Sequence, residues 1–366
     1  METMEKETTI QLRNVTTGYR VKGKDKEISL GLNASLHIGE MTCLLGPNGA
    51  GKSTLLRTMA GFQPSLGGEV SVNKKSLKKY SPKDLAKAVS VVLTQNSDIK
   101  NLTVEEVLAI GRSPYTGFWG RLRERDRKMI DKCLTWVGIE ELRSRKMHTL
   151  SDGERQKVMI AKAIAQETPI ILLDEPTAYL DYPSKVSMML LLHRLAKALK
   201  KTIFLSTHDL EHALQISDQI WLLDRDKGLT TGMPEDLCAE GHIGRYFQRE
   251  GIGFDPETCT FSIEHEVARE VLIEGDPTSL QYKLATRALL RNAIRPIRSM
   301  SEAQMESTRS DVVLCVRGDG TYRLLDHGKE AICVNKMEHI LGIVGSTIVK
   351  NQIQTIRDEA QMTPYE

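Results

Sequence analysis

Residues 46 to 53 read Gly46-Pro47-Asn48-Gly49-Ala50-Gly51-Lys52-Ser53, a complete G-x-x-x-x-G-K-[ST] pattern, and few sequence features restrict a fold as tightly. The pattern demands a strand before it and a helix after it. Met41-Thr42-Cys43-Leu44-Leu45 is a short apolar run on one side, and Thr54-Leu55-Leu56-Arg57-Thr58-Met59 is a helical pattern on the other. The residue types follow from charge. A triphosphate is strongly negative; glycines let backbone N–H groups approach it closely, and a helix N-terminus adds positive partial charge. Gly46, Asn48, Gly49, Ala50, Gly51, Lys52, Ser53 and Thr54 are therefore the expected nucleotide contacts. Lys52 suits the β- and γ-phosphates, and the Ser53 hydroxyl suits a bridging Mg²⁺.

Further apolar runs end abruptly in polar residues: Val89-Ser90-Val91-Val92-Leu93 before Thr94-Gln95, Ile170-Ile171-Leu172-Leu173 before Asp174-Glu175, and Thr202-Ile203-Phe204-Leu205-Ser206 before Thr207-His208. They read as buried parallel strands separated by helical patterns such as 184–200. An α/β sheet of the P-loop NTPase kind follows, with functional groups beyond the carboxyl ends of its strands. From about 96 to 150 the pattern turns to charged helices, at 104–111 and 124–137, which predicts an inserted helical subdomain. The loop Ser113 to Gly120 is aromatic-rich for this chain, as a local hydrophobic cluster or as a docking surface.

With 366 residues the chain is too long for one comfortable core. The first domain is expected over 1–250. A linker at 251–256 then leads to a small α+β domain over 255–366, whose role the sequence leaves unassigned. Within it, extended structure is expected over 260–273, a helix over 280–293, a hairpin over 311–325 turning at Gly318-Asp319-Gly320, and helix over 335–360. A net charge of +2, from 50 basic and 48 acidic residues, argues against a nucleic-acid partner. No run of some eighteen apolar residues occurs, and the polar start lacks a signal peptide's regions, which predicts a cytosolic chain that does not span a membrane. Six scattered cysteines without a C-x-x-C pair predict reduced thiols.

Leu150-Ser151-Asp152-Gly153-Glu154-Arg155-Gln156 opens an amphipathic run in which Ser151 and Glu154 have capping-box spacing, so a helix should begin there. With Asp174-Glu175 some twenty residues on, residues of about 8 to 250 resemble the ATP-binding subunits of ABC transporters: Leu150 to Gln156 is similar to their signature motif and Ile170 to Glu175 to their Walker B strand. The resemblance implies that Asp174 serves the Mg²⁺ shell with Ser53 and Gln95, and that Glu175 polarises the attacking water. It implies further that His208 contacts the γ-phosphate, that Gln95 also links hydrolysis to the helical subdomain, and that Tyr19 stacks on adenine. By residue type alone, Tyr19 could equally pack a strand.

Ala178-Tyr179-Leu180-Asp181 resembles the loop that communicates between paired subunits. The family's arrangement implies a homodimer in which Ser151 and Gly153 of one copy close over ATP on the other. The signature departs from the family pattern at Asp152, usually glycine, whose carboxylate is expected to face outward. Asn101 to Val107, followed by Gly111 to Tyr115 and Gly117-Phe118, are most similar to ATPases of iron-chelate, haem or cobalamin importers. That implies integral-membrane permease subunits, indirectly a substrate-binding protein, and a peripheral place on the cytoplasmic face of the inner (plasma) membrane. The alternative, a soluble ABC-type ATPase not coupled to transport, usually carries a second phosphate loop or sustained heptads, and neither occurs. His208-Asp209-Leu210-Glu211-His212 also satisfies H-x-x-E-H, a zinc pattern that requires both histidines on one helix face.

Overall fold

Met41–Leu45, Ile170–Asp174 and Thr202–Ser206 are buried at every position, as strands covered on both faces must be. In the computed structural model, which describes residues 6–21, 24–93, 99, 101–117, 120–249, 251–255, 258–263, 269–298, 312–326, 329–339 and 341, they form the centre of a six-stranded sheet. Its order is Gly228–Gly232, Gln219–Asp224, Met41–Leu45, Thr202–Ser206, Ile170–Asp174, Val89–Val92. Every neighbouring pair is parallel except the first. The α/β expectation is met, and five of these strands deliver their carboxyl ends to the same edge.

One face of this sheet packs on Leu55, Leu56 and Met59 of the helix Lys52–Met59. Beyond that helix lies an antiparallel sheet that the sequence reading did not anticipate. Thr8–Val21 pairs with Lys24–His37 and with Gly67–Val72, and its Ile10, Leu12 and Val15 complete the same core. Long strands with register shifts blur the period of two, which is why alternation did not stand out. The other face of the central sheet packs on helices that include Asp152–Ala165 and Tyr182–Ala198.

Val104–Gly111 and Glu124–Val137 are α-helices, the first opened by a Thr103–Glu106 capping box and the second closed by Gly138 in the left-handed region (φ 70°). Where Val104–Gly111 meets Asp152–Ala165 the backbones nearly touch: a Cβ on Gly111 would lie 2.5 Å from the Lys162 carbonyl. The next residue, Arg112, is fully buried. Its Nε donates to Asp126 Oδ1 at 2.9 Å, and its Nη1 donates to the Ala165 carbonyl and to Glu167 Oε2, both at 2.6 Å. The Tyr115 ring covers the guanidinium at 4.4 Å. One cation thus ties three helix ends together.

The chain divides into two compact units, one of Met1–Arg249 with Gly253–Ser262 and one of Glu250–Ile252 with Ile263–Glu366. Residues 251–255 carry a strand, Ile252–Asp255, which pairs with Thr260–Ile263. A linker there is therefore corrected: Phe254 stacks on Phe261 at 4.9 Å, and Phe261 meets Phe247 edge-on, so aromatic burial fixes the segment. The second unit builds a five-stranded sheet of order Ile294–Arg298, Arg269–Glu274, Val312–Val316, Tyr322–Asp326, Lys329–Val334. The helix Leu280–Arg291 packs Ala285 and Leu289 against Val271, Ile273 and Leu314. The hairpin turns at Gly320 (φ 87°) as expected. Most of 335–360 lies outside the described residues, as do Gln95, Phe118 and Trp119.

Replacing Arg112 strands two carboxylates in a site built for a cation. Arg112→Met is expected to cost about 3 kcal/mol, read as a lowered urea midpoint. A shift of less than a few tenths of a kcal/mol would count against the network.

Candidate functional site

Gly46 follows the strand Met41–Leu45 where the chain must cross its neighbour: a Cβ there would sit 2.1 Å from the Leu223 carbonyl. Gly49 and Gly51 take φ of 80° and 102°, which turn the loop into the helix Lys52–Met59. Asn48 and Gly49 are exposed at the tip and Ala50 is buried beneath them. Ser53 and Thr54 occupy the first helical turn, where backbone amides lack intrahelical partners. The turn is a ready anion cradle.

Lys52 is buried, and its Nζ donates to the Gly46 and Pro47 carbonyls at 2.8 and 3.2 Å and lies 3.5 Å from His208 Nδ1. Burial pushes its pKa below the usual lysine range, against the opposing pull of Glu175 and Asp174. Asp174 ends its strand and is 8% exposed. Its Oδ1 accepts from Ser53 Oγ at 3.1 Å and from Ser206 Oγ at 2.7 Å. The next residue, Glu175, has φ 48°, an uncommon value for a side chain of its size. Its N–H donates to Ser206 Oγ at 2.9 Å, and its Oε1 meets His208 Nε2 at 2.5 Å.

Lys52, Ser53, Asp174, Glu175 and His208 therefore converge at one edge of the sheet, from three separate stretches of sequence. Ser206 is the residue the sequence reading missed. Its signal was a lone hydroxyl ending an apolar run, and only the parallel register, which sets it opposite Asp174, reveals its use. The H-x-x-E-H pattern makes no metal centre: His208 reaches Glu175, whereas His212 is buried beside Asp209. No cluster of metal-ligating side chains occurs among the described residues.

The remaining residues stand apart within this chain. Tyr19 lies on Thr8–Val21, 42% exposed, with Lys26 Nζ 5.6 Å from its ring centre. Ser151 caps the helix Asp152–Ala165 with the full Glu154 capping box. Asp152 faces solvent and pairs with Arg155 at 2.9 Å, as anticipated. Gly153 has open space, its nearest prospective neighbour being Leu180 Cδ2 at 3.9 Å. Gln95 falls outside the described residues.

A glycine phosphate loop, an acidic strand end and a histidine just beyond the adjoining strand, all at one edge of a parallel sheet, define a P-loop nucleotide hydrolase. Residues 30–178 match the family model described as ABC transporter. An uncharacterised ABC transporter ATP-binding protein of Methanocaldococcus jannaschii is 42% identical over 70% of this chain and 87% of its own length. The iron(3+)-hydroxamate import ATP-binding protein FhuC of Bacillus subtilis is 38% identical over 64% of this chain and 87% of its own. Among solved structures, an inward-facing putative metal-chelate type ABC transporter superposes with TM-score 0.56 at 26% identity, over 66% of this chain and 89% of that one. A dimeric post-hydrolysis ATP-binding cassette bound to ADP and Pi gives TM-score 0.54 at 28% identity, over 62% and 98%. This chain belongs to the ABC transporter family as an ATP-binding subunit, an ATPase of the import type.

Ser206→Ala removes one donor to Asp174 and the acceptor of the Glu175 amide. The expected cost is about 1–3 kcal/mol, measured by denaturant unfolding. An unchanged midpoint would show that the hydroxyl is dispensable.

Proposed function

We propose that this chain energises uptake of an iron chelate, as a homodimer bound peripherally at the cytoplasmic face of the inner (plasma) membrane beneath separate permease subunits. An external substrate-binding protein is an indirect partner. The observation that carries the chemistry is the convergence of Lys52, Ser53, Asp174, Glu175 and His208. The cargo class is supported by relatives named for iron(3+)-hydroxamate, petrobactin and ferric enterobactin.

The loop amides and Lys52 hold the β- and γ-phosphates of ATP, and Tyr19 stacks on the adenine. Ser53 Oγ and Asp174 Oδ1 are hard oxygen donors 3.1 Å apart, of the kind Mg²⁺ takes, with Gln95 as a third. Bound there, Mg²⁺ would neutralise charge on the phosphate oxygens. Glu175 accepts a hydrogen bond from the attacking water and then its proton, as a new O–P bond forms and the bond to the bridging oxygen breaks. The products are ADP and phosphate, which takes up the proton. His208, already on Glu175, contacts the γ-phosphate and keeps that carboxylate oriented.

Ser151 and Gly153 of a second copy complete the site. The space around Gly153 supports this reading, because no packing within its own chain requires a glycine there. Closure around ATP and release after hydrolysis would move the helical subdomains against the permease.

Glu175→Gln is expected to keep ATP affinity, lower turnover by about a hundredfold or more and accumulate an ATP-bound dimer on gel filtration. Full turnover would remove Glu175 from the mechanism. Cells lacking the chain should lose ferric-siderophore uptake; loss of cobalamin uptake alone would overturn the cargo assignment.

The lowered Lys52 pKa has a pH signature. A triphosphate favours the ammonium, so ATP affinity is fully present below the depressed pKa and declines as pH rises through it. Calorimetric titration should show this decline beginning below the value of about 10.4 of a solvated lysine, and Lys52→Arg should flatten it. A wild-type profile level up to that value would contradict the burial effect.

A further inference from the structure

The helix Leu210–Ile216, directly after the His208 loop, carries an imidazole that the hydrolytic chemistry does not use. His212 is 1% exposed, and its Nδ1 lies 2.7 Å from Asp209 Oδ2. Its ring rests on Tyr182, with centroids 4.8 Å apart and planes at 52°. Nε2 finds no hydrogen-bond partner among the described residues, so the ring contributes contact rather than a polar network. Asp209 works in two directions: Oδ1 accepts from the His212 amide and caps the helix, while Oδ2 lies 3.6 Å from Lys185 Nζ.

Tyr182 and Lys185 both stand in the first turn of the helix Tyr182–Ala198, whose cap is Asp181. That helix continues the loop Ala178-Tyr179-Leu180-Asp181, in which Tyr179 is held at φ 67° and is 88% exposed. The two loops flank a cavity of about 260 Å³ lined by Glu175, Thr177, Lys185, His208 and Asp209. Across that space, His212 on Tyr182 and Asp209 on Lys185 make a two-point clamp. A displacement of the His208 loop must either carry Tyr182 with it or break the ring contact. Packed contacts of this kind favour discrete arrangements over continuous deformation.

We infer that His212, Asp209, Tyr182 and Lys185 are positioning residues that make the His208 loop and the Tyr179–Asp181 loop move as one. Neither His212 nor Tyr182 has a part in the chemistry. Resting on the reading of Glu175, His208 and the dimer above, the clamp couples the γ-phosphate end of one site to the loop that faces the second copy, so the two ATP sites of the homodimer fire cooperatively.

The test uses the chain assembled with its permease. Tyr182 is 64% exposed, so its variants should fold even where a buried His212 variant fails. Tyr182→Ala is expected to lower kcat about tenfold, to bring the Hill coefficient for ATP towards one, and to leave nucleotide affinity within about twofold. Tyr182→Phe, which keeps the ring, should restore both kcat and cooperativity. Tyr182→Ala combined with His212→Asn should lose no more than Tyr182→Ala alone. A wild-type kcat and Hill coefficient in Tyr182→Ala, even with a lowered melting temperature, would overturn the clamp, as would multiplicative losses in the double variant. Full turnover in Glu175→Gln would instead strike at the underlying reading, whatever the Tyr182 variants do.

Discussion

Parallel register across the central strands is the constraint on which the site depends. Leu44 pairs with Ser206, and Ser206 pairs with Asp174, so three strands far apart in sequence end at one level. The next residue or two of each stretch then emerge together: the glycine loop, Glu175 and His208. A slip of one residue in either ladder would turn Asp174 or Ser206 to the opposite face. It would also break the pair of hydroxyl bonds that Asp174 accepts. Burial of the whole Ile170–Asp174 and Thr202–Ser206 strands on both faces enforces that register.

A second layer of order comes from one buried cation. Arg112 joins Val104–Gly111, the start of Glu124–Val137 and the end of Asp152–Ala165 through Asp126, Glu167 and the Ala165 carbonyl. Asp152–Ala165 carries Ser151 at its other end. The charged cluster thus makes the placement of Ser151 a property of the whole helical group rather than of one helix. Burial alone would raise the Asp126 pKa; the Arg123 amide and the Arg112 guanidinium outweigh it and hold the carboxyl below its usual range.

Several elements were legible because their local chemistry is strong. The phosphate loop is defined by glycines and a lysine, the Ser151–Glu154 box by capping residues, and the central strands by short apolar runs. The antiparallel sheet of Thr8–Val21 was not legible, since its register shifts break the alternation that would announce it. The strand Ile252–Asp255 reads as a linker because the glycines and proline around it outweigh Phe254, whose partner Phe261 lies on the next strand and in turn meets Phe247 from the preceding helix.

The sequence by itself determined which groups could meet a triphosphate, because close backbone approach needs glycine, charge neutralisation needs lysine and metal binding needs carboxylate or hydroxyl. Only the tertiary structure decided how those groups engage one another. That Ser206 bridges Asp174 and the Glu175 amide, that Lys52 is buried enough to lose part of its basicity, and that His212 faces Tyr182 rather than a metal are consequences of strand register and helix packing. Such contacts join residues that lie tens to more than a hundred positions apart in the chain, where no local pattern carries the information.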